Sequence, residues 1–232
     1  MKNKRAYTII DTAGQKTAVI QNGFVRREQP FVAELMMTIN PMVEQVAYLE
    51  KEGNNYRCQM MGNELSINGS LATAYLVAKQ LKKSAVSIEL SGLDKCVSAT
   101  TDGRTISIEF PDSLIKQIIK NTVILEGIAY KVVKGFPETY LTTSKLKQRL
   151  QTLAKDIPAA GIIFYKDNQI IPLVYVKPTN SYVWENACGS GSLAFSLMTG
   201  TDLVIQPSGE FLTIQKNSDT LTISSPVKEI YD

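Results

Sequence analysis

The 232-residue sequence predicts an α/β protein of the α+β kind, built as two similar lobes over residues 1–115 and 116–232. Three observations predict it. Short β-rich runs outnumber helical stretches, turn signals fall between those runs, and one segment recurs with its flanking elements half a chain later.

Tyr7–Ile10 and Thr17–Ile20 are strand runs parted by the turn Ala13-Gly14-Gln15. Phe31–Thr38 is apolar without alternation and stops before Asn40-Pro41, which predicts a short buried helix. Val43–Leu49 and Tyr56–Met61 read as strands. Over Ser70–Leu81, Leu71, Ala74, Tyr75, Ala78 and Leu81 recur at spacings of three and four, a helical stripe with Lys79, Lys82 and Lys83 at its end. Val86–Leu90 and Thr105–Phe110 are strands, the second reached through the hairpin signal Asp102-Gly103. Val123–Val133 is strand-like with a break at Gly127, and Ser144–Lys155 is a helix with a polar face. Ile162–Tyr165 and Ile170–Val176 form a second hairpin across Lys166–Gln169. A short helix continues over Leu193–Met198, and Leu203–Ile205, Phe211–Gln215 and Leu221–Ser224 close the chain as strands.

The repeat organises these elements. Ser66-Ile67-Asn68-Gly69-Ser70-Leu71-Ala72 lies on Cys188-Gly189-Ser190-Gly191-Ser192-Leu193-Ala194, with the last four residues identical. Val86 to Ser91-Gly92 then matches Val204 to Ser208-Gly209, and Thr105–Ile108 with Pro111 matches Thr220–Ile223 with Pro226. Each lobe thus presents a strand, a turn of small residues, a helix and a hairpin.

Composition removes several chemistries. No histidine occurs, which excludes Ser-His-Asp and Cys-His catalysis and histidine-ligated zinc. Lys+Arg of 25 against Asp+Glu of 22 gives only +3, and the basic stretch Met1–Arg5 reads as a solvated N-terminus, so no nucleic-acid partner is expected. Cys58, Cys96 and Cys188 are widely spaced, with no metal-binding or disulfide pattern; reduced thiols, no metal and a cytoplasmic location are expected. The N-terminus shows no signal-peptide core, and no run of about 18 apolar residues predicts a membrane span. Gly189–Ala194 also fits the spacing of a dinucleotide fingerprint, with Glu210 about twenty residues on. Its glycines do not directly follow a predicted strand, which weakens that reading.

A turn of Gly and Ser that opens a helix presents unpartnered backbone N–H groups and the positive end of the dipole, a seat for a carboxylate. The same field is expected to lower the pKa of a thiol at the helix start, making Cys188 a base or nucleophile. Duplicating the element supplies one proton-handling group for each face of a substrate. Inversion at an amino-acid α-carbon needs that arrangement, with N–H donors stabilising the carboxylate as it gains enolate character.

The motifs then resemble a known family. Trp184-Glu185-Asn186-Ala187-Cys188-Gly189-Ser190-Gly191-Ser192 is similar to the second cysteine motif of the diaminopimelate epimerase fold, and most of all to that of histidine racemases feeding staphylopine-type metallophore synthesis. Gly62-Asn63-Glu64-Leu65-Ser66-Ile67-Asn68 resembles their first motif, Gly-Asn-Glu-Phe-Cys-Gly-Asn. Glu44-Gln45-Val46 resembles their acidic-Gln-Val strand start, and Gly14-Gln15 stands at the place of an N-terminal Gly-Asn. The resemblance implies two pseudo-symmetric lobes, each a mostly antiparallel sheet wrapped on a central helix, with the active site between them. It implies a cofactor-independent racemase or epimerase acting on an amino acid, with a homodimer as one expected assembly. Positions 66 and 188 are the implied catalytic pair. Gln15, Glu44, Asn63, Asn68, Gly69, Glu185, Gly189, Ser190 and Gly191 are the implied substrate-binding residues.

The chain departs from the pattern at Ser66, where the family has its first cysteine, and at Ile67, where it has glycine. Three readings stay open: an introduced Cys→Ser change that inactivates the enzyme, a natural residue in a one-base dehydratase, isomerase or slow epimerase, or a catalytically dead binding protein. The family's Asn-Pro-His turn is also missing, with Leu125-Glu126-Gly127 near its place, which leaves the substrate side chain undefined. Each candidate has a plainer role as well: Ser66 is a good helix cap, Cys188 a buriable thiol, and Glu44, Glu64 and Glu185 are ordinary surface carboxylates.

Overall fold

The computed structural model describes residues 6–21, 23–137 and 143–231. The basic stretch Met1–Arg5 lies outside them. The chain divides into two compact units, residues 1–110 with 224–232, and residues 111–223. The C-terminal residues join the first unit because their strand pairs with its first strand.

Unit 1 runs β1 (Tyr7–Thr12), β2 (Gln15–Ile20), α1 (Gln29–Ile39), β3 (Gln45–Glu52), β4 (Asn55–Met60), α2 (Ile67–Leu81), β5 (Ala85–Leu90), β6 (Val97–Thr101) and β7 (Thr105–Pro111). The last strand of the chain, β16 (Thr220–Ile230), begins in unit 2 and completes unit 1. Its sheet follows chain order from β1 to β7, then β16, which pairs back on β1 and closes the sheet. Two of its pairings are parallel, β2 with β3 and β4 with β5. Inside runs α2, buried from Ile67 through Ala74 and touching β1 to β6. A helix buried on nearly every side carries apolar residues beyond one stripe, and Leu71, Ala72, Ala74, Val77 and Ala78 are that set.

Unit 2 repeats the plan: β8 (Ile115–Ile119), β9 (Thr122–Leu125), β10 (Ile128–Lys134), α3 (Thr143–Leu153), β11 (Ala159–Lys166), β12 (Gln169–Val176), β13 (Ser181–Trp184), α4 (Gly189–Thr199), β14 (Leu203–Ile205), β15 (Phe211–Lys216) and the start of β16. The pairing β10 with β11 is parallel, as is β12 with β14, in the places of β2 with β3 and β4 with β5. The helix α4 is the counterpart of α2.

Turn chemistry sets the registers. Ala13 and Gly14 both have positive φ, and the Asp11 carboxylate accepts from the Gly14 amide at 2.7 Å, making a two-residue hairpin. Glu126-Gly127 makes the two-residue turn between β9 and β10, with positive φ at Gly127 alone. The hairpin read as Lys166–Gln169 turns on Asp167 and Asn168 alone, since Lys166 and Gln169 are its last ladder pair.

Two sequence readings change. The helix predicted over Phe31–Thr38 forms as α1 but is not buried: only Gln29 and Ala33 are, and Phe31 is 70% exposed. Its apolar residues surround the helix, and the sheet covers only one side. The strands β6, β8 and β13 were not predicted. The mostly exposed runs of β8 and β13 bury no residue and depend on their ladder hydrogen bonds, whereas β6 buries Val97 and Ala99 among small polar side chains that give a weak strand signal. Among the described residues no helix is long and apolar enough to cross a membrane.

Candidate active site

Within unit 2, Cys188 is the N-cap of α4, held in extended geometry with its sulfur accepting the Gly191 amide at 3.2 Å. The Cys188 carbonyl accepts from the Ser192 amide and hydroxyl, at 2.8 and 2.7 Å. Its own amide is held at 2.9 Å by Gln206 Oε1, whose Nε2 donates to Ser192 and to the Val204 carbonyl. Gly191 leaves room for the cap: a Cβ there would meet Ile163 Cδ1 at 2.6 Å and the Cys188 sulfur at 2.9 Å, so one of them would have to shift. The thiol is buried, 4% exposed, and hydrogen-bonds to the Glu185 side chain and, at 3.4 Å, to the Tyr130 hydroxyl. Tyr130 also meets the Ser190 hydroxyl at 2.7 Å.

The helix field does not govern this thiol. Burial and then the Glu185 charge hold the Cys188 thiol well above the ordinary thiol range, against the lowering effects of the Tyr130 hydroxyl and the Gly191 amide. The sequence-based expectation of a lowered pKa gives way because desolvation of a thiolate outweighs one N–H and a dipole end. The resting group is a thiol with a carboxylate next to it.

Unit 1 builds the matching half with different atoms. Ser66 is the N-cap of α2, and its hydroxyl accepts the Gly69 amide at 3.1 Å. The Ser66 carbonyl accepts from Ser70 through both amide and hydroxyl, at 2.9 and 2.6 Å, as the Cys188 carbonyl does from Ser192. A Cβ at Gly69 would meet Met60 Sδ at 2.8 Å and the Ser66 hydroxyl at 3.2 Å. The Ser66 hydroxyl donates to Gln45 Oε1 at 2.9 Å, and Gln45 Nε2 donates to Thr17 and Gln15 at 2.7 and 3.1 Å. Ser66 therefore sits in a neutral network, whereas Cys188 faces a carboxylate.

The remaining candidates fall around these two caps. Glu44 accepts from the Lys16 amide at 3.4 Å, and its own amide donates to the Lys16 carbonyl. Asn63 has a left-handed backbone at the turn after β4, and its side-chain oxygen accepts from Gln59. Asn68 is buried and donates to the Thr12 carbonyl at 3.3 Å, tying α2 to β1. Gly189 is buried in the first turn of α4 beside half-buried Ser190. Glu64 is exposed. The Gly69 and Gly191 amides, expected to face a carboxylate, are engaged by the cap atoms. Sequence reasoning missed Gln45, Tyr130 and Gln206. Only Gln45 carried a signal, since it stands beside Glu44 in a quoted motif; Tyr130 lies remote in sequence from the thiol it touches, and Gln206 from the Cys188 amide it holds. Among the described residues no cluster of Cys, Asp or Glu is placed to hold a metal.

Comparison with known proteins agrees with this architecture. The profile of the family described as histidine racemase CntK N-terminal domain matches residues 10–224. A histidine racemase of Fusobacterium nucleatum is 30% identical, the match covering 94% of this chain and 92% of that protein. A histidine racemase of Staphylococcus aureus is 21% identical over 93% of this chain and 90% of its own. Among solved structures, one described as a predicted epimerase from Pseudomonas aeruginosa superposes with TM-score 0.68 at 12% identity, covering 98% of each chain. A phenazine biosynthesis PhzF family protein from Enterococcus faecalis gives 0.64 at 15%, covering 97% of this chain and 98% of that one. Fold and kinship together define the class, an amino-acid racemase or epimerase on an epimerase-type α+β fold. More particularly, the chain belongs to the histidine racemase family.

Proposed function

We propose that the protein exchanges the α-proton of histidine without a cofactor, with Cys188 serving one face of the α-carbon and position 66 the other. The observation that carries this reading is the paired N-cap: thiol and hydroxyl at equivalent helix starts, each fixed by the amide three residues on. The thiol proton passes to the Glu185 carboxylate, and the thiolate removes the α-proton of the substrate. The electron pair left at the α-carbon delocalises into the substrate carboxylate, which the positive ends of α2 and α4 stabilise. Glu44, Gln15, Asn63 and Asn68 belong to substrate binding in this reading, together with the turns at Gly69 and Gly189–Gly191. A cytoplasmic location and a homodimer complete it; light scattering is expected to return the mass of two protomers.

Serine at position 66 divides proton removal from inversion. A hydroxyl bonded to the neutral amide of Gln45 is a poor acid and base near neutral pH. In D2O the protein is therefore expected to wash deuterium into L-histidine with the configuration retained, because Cys188 returns the proton to the face it left. Ser66→Cys is expected to add racemisation, read by chiral chromatography, and Cys188→Ala to abolish both. Absence of α-exchange from histidine and every other common amino acid in Ser66→Cys would defeat the proposal. The neutral surroundings of Ser66 also support a second reading, a one-base dehydratase or isomerase, which product mass separates through loss of water.

A further inference from the structure

We propose that Tyr130 is a positioning residue for the Cys188 thiol, its ring seated in a gap left by Gly161 so that its hydroxyl joins the sulfur to Ser190. The inference rests on the reading of Cys188 as the proton-handling group and assigns what orients it.

Three observations carry it. Tyr130 is 1% exposed, and its hydroxyl lies 3.4 Å from the Cys188 sulfur and 2.7 Å from the Ser190 oxygen. A tyrosine in a core needs a partner for its hydroxyl, and here the partners are the Ser190 hydroxyl and the thiol rather than a backbone carbonyl. On the parallel ladder Tyr130 stands opposite Gly161 of β11, where a Cβ would come within 2.3 Å of the tyrosine ring. That contact is with a ring wedged in the core, so no other residue fits at 161 while the ring holds its place.

Unit 1 solves the same problem from the opposite strand. Counted from the hairpin glycines, Gly14 and Gly127, Thr17 and Tyr130 occupy the same position. Thr17 is short, and its ladder partner Gln45 is the long side chain that reaches the Ser66 cap. In unit 2 the long member comes from β10 and the short one from β11. Both units thus place one long polar side chain under the cap atom. Only the tyrosine is a weak acid.

The thiol hydrogen-bonds the Glu185 side chain, and the Tyr130 hydroxyl bridges the sulfur and the Ser190 hydroxyl. When the thiol proton leaves, the tyrosine and the Gly191 amide remain as donors to the thiolate. The titratable groups that face the sulfur are Glu185 and Tyr130; the Ser190 hydroxyl lies 3.8 Å from it, and β11 presents Ile163 to the same helix turn, both uncharged.

The test is Tyr130→Phe, which keeps the ring and removes the hydroxyl. The infrared S–H stretch of Cys188, identified by difference against Cys188→Ala, is expected to shift, while the bands of Cys58 and Cys96 stay in place. In the Ser66→Cys background the acid limb of the pH–rate profile for α-exchange is expected to move up by about one pH unit, roughly a tenfold loss of rate below it. Tyr130→fluorotyrosine, which keeps the ring and makes the hydroxyl a stronger donor, is expected to move both readouts the opposite way, and it decides the matter should Tyr130→Phe not fold. An unmoved S–H band and an unmoved limb in a folded variant overturn the proposal. A Ser66→Cys protein without α-exchange overturns the racemase reading instead, and the S–H band still decides the role of Tyr130.

Discussion

Ser66 and Cys188 show how one local rule accepts two elements of different chemistry. An N-cap needs an acceptor atom near the third amide of the helix, and oxygen at 3.1 Å and sulfur at 3.2 Å both supply it. Proton chemistry asks for more, and only the sulfur has a carboxylate in contact. Ser66→Ala is expected to cost about 1 kcal/mol of stability, the usual loss on removing a cap. Ser66→Cys is expected to stay close to the parent, since Cys188 demonstrates a thiol in the same setting. Thermal or urea unfolding of both variants measures the difference.

Among the elements, burial separates helices that the sequence makes look alike. The central helices α2 and α4 carry the two caps and are enclosed by sheet, so their first turns are fixed by packing as well as by hydrogen bonds. The outer helices each lean on the sheet through a few residues: α1 through Ala33, α3 through Leu146 and Leu150. Leu150 is fully buried in a cluster with Ala160, Phe164 and Tyr175, whereas Leu35 is 49% exposed. Leu150→Ala is expected to cost about 2–5 kcal/mol, and Leu35→Lys to stay within about 0.5 kcal/mol. Urea midpoints at constant slope check both.

For the whole molecule the notable feature is a reciprocal exchange of strands. The segment after β7 forms β8, which pairs with β9 in unit 2, and the segment after residue 223 continues β16 to pair with β1 in unit 1. Each of these pairings is made by chain that follows the other unit's last hairpin. Buried thiols and phenols contribute to the stability at high pH, Cys58 and Tyr48 among them. Burial pushes the Cys58 thiol from 9.0 to about 12 and the Tyr48 phenol from 10.0 to about 12. Both are neutral when protonated and are raised in the folded state. Their contribution is therefore fully present below pH 9 and is lost as pH rises toward about 12, because the unfolded chain releases these protons first. Unfolding free energy is expected to fall steadily over that window. Cys58→Ala is expected to lower stability at neutral pH yet flatten the alkaline decline, and a slope unchanged from the parent would contradict the assignment.

The sequence by itself determined the duplication, the two caps and most of the strands, because these rest on local signals: Gly-Ser-Leu-Ala after a cap residue, Gly or Asp-Asn at hairpins, and helical spacing in α2. It also exposed the asymmetry at position 66, which no structure was needed to see. The tertiary structure decided what surrounds each cap atom. Gln45 under Ser66, and Tyr130 across from Gly161 under Cys188, are meetings of residues 21 and 58 positions apart, set by strand register rather than by neighbouring sequence. It decided the state of the thiol as well. A helix start alone argues for a thiolate; burial beside Glu185 keeps the proton on sulfur, because desolvation of a charge is a property of the packed surroundings and leaves no mark on the local motif.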